Sequence, residues 1–316
     1  MRGRSWCSEG QGIRCLLALS CLYVMPAGAD SIPATETVER MPAYFLEVPD
    51  AVTSVLVADT AASTLYRFTV SGNRVVAQEQ RYMSIGQNGV GKQRAWDRKT
   101  PLGVYFITKK LDTSKLDAKY GVAAFPLDYP NAWDNYRERT GHGIWLHGVD
   151  RNLPRRPAKD TDGCLALPND ELMSLATHLQ PMETPIIVAR ELHWLGADEV
   201  ERSRLEFRIV LDMWRRSQEA QDLVSYLSLY DEGFRHHGMD KAEWSAFRLG
   251  AFAARPLTSV EISDVLLLAD PEEPDLYMSR FTQVLTGTGV PVTTTKRLYW
   301  KRRPDAQWQI VSEDNG

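Results

Sequence analysis

Up to about residue 190 the apolar residues come in short runs bounded by turn residues. TSVLVAD (53–59), STLYRFTV (63–70) and NRVVAQEQRYMSI (73–85) are β-rich runs, the last two separated by Ser71-Gly72. Gly86, Gly89 and Gly91 mark a loop, and LGVYFITK (102–109) predicts a strand after Thr100-Pro101. Residues 111–141 read as a long mixed excursion carrying Tyr120, Phe125, Tyr129, Trp133 and Tyr136. GIWLHG (143–148) predicts a strand end and CLAL (164–167) a short apolar run. Asn169, Asp170 and Glu171 then offer a cap and first-turn acids to a helix through LMSLATHL, and Pro185 with IIVA (186–189) predicts a last strand.

The period changes after ELHWLG (191–196). Val200, Leu205, Phe207, Ile209, Val210, Met213 and Trp214 recur at helical spacing over 197–217, 219–236 continues in the same style, and 240–253 predicts a third helix. Strands follow at 258–269, 276–287, 291–302 and 307–312, with Gly287 and Gly289 turning the middle pair. Helices followed by antiparallel strands predict an α+β unit over 197–316, separate from a mainly β unit over 53–190. Residues 30–52 are polar, with Pro33, Pro42 and Pro49, and read as an exposed lead-in. The chain has 316 residues, which suits two domains at about 150 residues each.

Charge narrows the function classes. The net charge is -4, with no basic excess to engage nucleic acid. Arg2, Arg4 and Arg14, the apolar run CLLALSCLYVM (15–25) and Ala27-Gly28-Ala29 have the pattern of a signal peptide over 1–29, cleaved after Ala29. The expected location is therefore periplasmic. Rival readings are a lipoprotein leader ending at Cys21, which fits poorly, and an uncleaved N-terminal anchor. Cleavage removes Cys7, Cys15 and Cys21 and leaves Cys164 as the one cysteine. A lone thiol in an oxidising compartment is either a buried core residue or a nucleophile.

Its surroundings favour the nucleophile. His147-Gly148 ends one strand, and Thr161-Asp162-Gly163-Cys164 enters the next across a Pro-containing loop. A thiol needs a base for activation, and His147 can supply it. Gly163 permits close backbone approach, and the amides of Gly163 and Cys164 are candidate oxyanion donors. The segments HG…TDGC, LALPNDEL, TPIIV and RKTPLGVYFI (98–107) together resemble the L,D-transpeptidase catalytic (YkuD-like) family over about 53–190. Thr161 replaces the Ser of many members, and Ala166 stands where one branch has Arg. CLALPN is similar to a second branch that includes transpeptidases, L,D-carboxypeptidases and a lipoprotein-releasing amidase. From MWRRSQEAQDLVSYLSLYDEGF to AQWQIVSE the tail resembles a nuclear-transport-factor-2-like α+β roll, with which this branch is combined in peptidoglycan-processing proteins.

The resemblance implies a β-sandwich catalytic domain acting on peptidoglycan stem peptides through a Cys164 thioester, with His147 as base and no cofactor or metal. A wall-linked lipoprotein is a further implied partner, and the tail is implied to assist binding or form a homodimer. The class alternative is a catalytically silent wall-binding protein. Gly148, Thr161, Asp162, Trp145 and His142 are candidate substrate-binding residues, each with a plainer reading. Gly148 can serve a turn, Thr161 orient a loop, Asp162 face solvent, Trp145 fill core and His142 be structural. Lys92, Arg94 and Lys99 either attract wall carboxylates or form a solvated loop. In the tail, Trp300 and Trp308 suggest binding without chemistry, so that a fragment cut near Gly196 is expected to fold alone.

Overall fold

The computed structural model describes residues 40–316, so the leader read at 1–29 lies outside the described residues. A five-stranded sheet is its central wall, in the order Arg74–Tyr82, Thr64–Ser71, Ser54–Asp59, Pro185–Ala189, Gly103–Phe106. Only the contact of Pro185–Ala189 with Ser54–Asp59 is parallel. All six residues of Ser54–Asp59 are buried. This explains the continuous apolar run VLVA: a strand covered on both faces has no polar side to show.

Strand alternation divides the wall between two cores. Val55, Val57, Phe68, Val104, Phe106 and Ile187 face the tail, packing with residues such as Phe207, Phe281 and Tyr299. Leu56, Ala58, Leu65, Tyr105, Ile186 and Val188 face a second core with Leu146, Leu165, Leu167 and Leu172. Against that second face lies a three-stranded sheet in the order Leu165–Ala166, Trp145–His147, Ala124–Pro126, followed by the helix Asn169–Ala176.

The tail is a six-stranded sheet in the order Tyr230–Arg235, Trp308–Asp314, Val292–Arg302, Leu276–Gly287, Leu257–Ala269, Phe45–Glu47. The helices Ala197–Glu219, Leu223–Ser228 and Lys241–Ala254 accompany it. The fold is thus a mainly β unit followed by an α+β roll, as the pattern predicts. Three readings need correction. The second half of 219–236 is a strand, Tyr230–Arg235, paired in parallel with Trp308–Asp314 through a shifted register. The register shift between Tyr230 and Arg235 breaks the two-residue alternation that marks a strand in sequence.

The described part of the lead-in, 40–52, is not exposed. Met41, Tyr44, Phe45, Leu46, Val48 and Val52 are buried. Phe45–Glu47 is the edge strand of the tail sheet, and Arg40–Pro42 pairs with Trp194–Gly196. Pro42 and Pro49 hide this in the sequence, yet prolines are tolerated beside a short edge strand. Trp300 is fully buried and donates from Nε1 to Ser279 Oγ (2.9 Å), so it is core and not a binding residue.

Candidate active site

Parallel pairing places Leu165 opposite Leu146 and Ala166 opposite His147. Side chains two apart share a face, so Cys164 joins Ala166, His147 and Trp145 on one side. Cys164 and His147 both line a cavity of about 440 Å³ with Tyr120, Lys119 and Arg156. The Cys164 Sγ–H donates to the Gly143 carbonyl at 3.5 Å.

His147 is held from behind. Its Nδ1 lies 2.6 Å from the Gly148 carbonyl. A carbonyl only accepts, so Nδ1 carries the proton and Nε2 keeps its lone pair. The Tyr120 ring meets the imidazole edge-on at 5.1 Å and packs on Trp145 at 4.7 Å. The Gly148 N–H donates to the carbonyls of Tyr120 and Ala123, both at 3.1 Å. A Cβ on Gly148 would stand 2.2 Å from Asn169 Oδ1, so the close approach requires glycine. Asn169 Oδ1 accepts from Val149 N (3.2 Å) and Val122 N (3.3 Å), while Nδ2 donates to Val149 O (2.8 Å). The sequence suggests a capping role at this helix start, but Pro168 is at the cap and makes no side-chain cap bond. Asn169 instead ties together the loops behind His147.

The turn before Cys164 is built on Thr161. Its Oγ1 donates to the Cys164 carbonyl (2.7 Å) and accepts from Gly163 N (3.1 Å). The Gly163 amide is thus already paired inside the turn, which tells against its use as an oxyanion donor. Gly163 has φ +122°, and a Cβ there would lie 2.7 Å from the Lys99 carbonyl.

Burial sets the charge of both groups. It pushes the His147 pKa down to about 4, against the partial support of the Gly148 carbonyl. It pushes the Cys164 thiol up to about 11, with the Asp162 charge adding to the effect. The pair at rest is a neutral thiol and a neutral imidazole.

Of the other predicted residues, His142, Thr161 and Asp162 line the cavity, whereas Trp145 and Gly148 support it from outside the lining. Asp162 is exposed, with Arg98 at 3.8 Å and Lys119 at 3.9 Å. Lys92 is buried and paired with Asp97 at 2.8 Å, so it holds a loop and is not free to attract a carboxylate. Sequence reasoning missed Lys119, Arg156, Trp96, Tyr120 and Asn169 as site residues. The aromatic run 120–136 was the only signal for Tyr120, and nothing local marks the others.

Residues 53–188 match the model of the L,D-transpeptidase catalytic domain, YkuD, and residues 206–314 match that of the Cds6 C-terminal NTF2-like domain. The two segments belong to these families. The chain is similar to the structure of Bd1075 from Bdellovibrio bacteriovorus at 25% identity, covering 87% of this chain and 97% of that one, with a TM-score of 0.73. It is also similar in fold to the helical cell shape determining protein Pgp2 from Campylobacter jejuni, at 22% identity over 88% of this chain and 96% of that one, with a TM-score of 0.71. No curated protein matches the chain by sequence.

Proposed function

We propose that the protein is an exported L,D-transpeptidase acting on peptidoglycan stem peptides through a Cys164 thioester. The observation that supports this reading is that Cys164 and a His147 whose Nδ1 is bound to the Gly148 carbonyl, leaving Nε2 with its lone pair, line one cavity. Family membership of residues 53–188 supports the substrate class. The leader pattern at 1–29 fits a periplasmic substrate.

In the proposed reaction His147 Nε2 takes the thiol proton as the sulfur attacks the carbonyl of the L-configured centre of the scissile bond. The oxyanion is held by the Cys164 N–H, because the Gly163 amide is bound to Thr161 Oγ1. The imidazolium returns its proton to the departing amine of the D-residue, leaving a thioester. An incoming amine then attacks the thioester, gives its proton to His147 and releases the thiolate, which the imidazolium reprotonates. The product is a cross-link, or a linkage to a wall-bound lipoprotein. Water in place of the amine yields a trimmed peptide.

Mass spectrometry of purified wall fragments incubated with the mature protein tests this. Cross-linked dimers and an acyl adduct on Cys164 are expected. Tripeptides alone would make the protein an L,D-carboxypeptidase, released lipoprotein an amidase, and unchanged fragments a wall-binding protein.

A further inference from the structure

Trp96 is 93% exposed and lines the same cavity as Cys164. A tryptophan so placed buries no apolar surface, so its presence is not explained by stability. Its backbone is in the left-handed region, with φ +64°, as is that of Arg98, with φ +56°. For a bulky residue this conformation is strained and persists only when the surroundings enforce it.

The surroundings do enforce it. Asp97 Oδ2 accepts from the amides of Gln93 (2.8 Å) and Arg94 (3.0 Å), and Oδ1 accepts from Lys99 N (3.1 Å) and buried Lys92 Nζ (2.8 Å). Burial alone would raise the Asp97 pKa, but the Lys92 ammonium and these amides hold it at about 2. Asn88 Nδ2 donates to the Asp97 carbonyl (2.9 Å), and Thr140 Oγ1 accepts from Ala95 N (3.2 Å). The loop is rigid by construction, and what it presents is one bare aromatic face.

We propose that Trp96 is a stacking platform for a pyranose ring of the glycan strand, at the exposed edge of the cavity that takes the stem peptide. This rests on the peptidoglycan reading above. A cavity of about 440 Å³ is the size that encloses a small ligand. A polymeric substrate must therefore continue across the rim, where Trp96 stands. The rim suits a sugar. A flat ring as exposed as Trp96 can meet the C–H face of a pyranose, whereas a peptide side chain is anchored in a concavity. Exposed planar polar groups lie nearby for hydroxyls: Arg98, whose Nη1 donates to Gln87 Oε1 (3.1 Å), and His142, which also lines the cavity.

The test uses the full chain carrying Cys164→Ser, with peptide-free glycan strands as the probe. Titration is expected to change tryptophan emission. Adding Trp96→Ala should lower the affinity about three- to tenfold, the scale of one aromatic contact, and remove most of the emission change. Trp96→Phe should keep most of the affinity. With Cys164 intact, Trp96→Ala should lower the ratio of kcat/KM for glycan-borne over sugar-free tetrapeptide by a similar factor. The proposal is overturned if the parent protein does not bind the strands, if Trp96→Ala binds them as tightly, or if that variant loses both substrates equally. A wild-type protein that turns over neither substrate would sink the catalytic reading while leaving the glycan comparison to stand or fall alone.

Discussion

At the scale of single residues, burial acts on Cys164 and His147 in opposite directions and leaves both uncharged at neutral pH. A thiolate–imidazolium pair would react at once with a small alkylating agent, but a neutral thiol does not. Iodoacetamide is expected to label Cys164 slowly at pH 7 and faster as the pH rises towards 11. Fast labelling at pH 7 would show that the ion pair exists at rest. His147→Ala should lower kcat by about 10²–10⁴, the usual contribution of a general base, and Cys164→Ser should fold and not turn over. The acid limb of kcat/KM should fall near pH 4 and not near 6.5. Stability has its own signs. His147 binds its proton more readily when unfolded, so stability falls as the pH drops from about 6.5 towards 4. Cys164 ionises more readily when unfolded, so stability falls as the pH rises from about 9 towards 11. Burial raises Asp134 and Asp270 to about 6, which acts with the opposite sign over the acid range. The His147 contribution is therefore read as the difference in denaturant midpoint between wild type and His147→Gln. That difference should shift against the wild type as the pH drops from about 6.5 towards 4, and a difference flat over that range would contradict a buried neutral His147.

At the scale of elements, the site depends on two polar side chains that replace missing regular structure. Thr161 bonds both the carbonyl of Cys164 and the amide of Gly163. Thr161→Val keeps the shape and removes both bonds, so a loss of about 1–3 kcal/mol is expected from buried groups left unpaired. Thr161→Ser should retain stability and activity, and chemical denaturation of the two variants separates the cases. Asn169→Ala loosens three bonds around Val122 and Val149, and kcat should fall more than KM rises, because the imidazole is aimed through Gly148. The strand pattern and the TDGC turn were legible because they are local: a continuous apolar run marks Ser54–Asp59, and the glycines mark bends. The cross-chain partners were not. Nothing in CLALPN says that Asn169 turns away from its helix, and nothing near Lys119 or Trp96 in sequence places them at Cys164. Tyr230–Arg235 was misread because its irregular register erases the period on which the reading depends.

At the scale of the whole molecule, the central sheet is the wall shared by both cores, which argues against the expectation that the catalytic unit folds alone. Phe45–Glu47 lies before the catalytic segment in sequence but is a strand of the tail sheet. Side-chain bonds cross the same boundary: Arg280 pairs twice with Glu183 at 3.1 Å, Arg139 meets Glu272 at 3.2 Å, and Arg297 pairs with Asp128. A fragment covering 30–195 keeps Phe45 and Trp194 on Phe68 but loses the tail residues clustered with Val55, Val57, Val104, Phe106 and Ile187 on one face of the sheet. At about 1.5–3 kcal/mol for each large apolar side chain exposed, the loss is up to roughly 7–15 kcal/mol, as large as the whole stability of an ordinary domain, about 5–15 kcal/mol. The fragment is therefore expected to be insoluble or molten, with strong dye binding, no near-ultraviolet circular dichroism and no cooperative thermal transition. A cooperative transition from that fragment would show that the tail only rests on the sheet. If the fragment fails as expected, the tail is part of the structure that positions Cys164, and its contribution to substrate binding has to be measured by point substitutions in the intact chain.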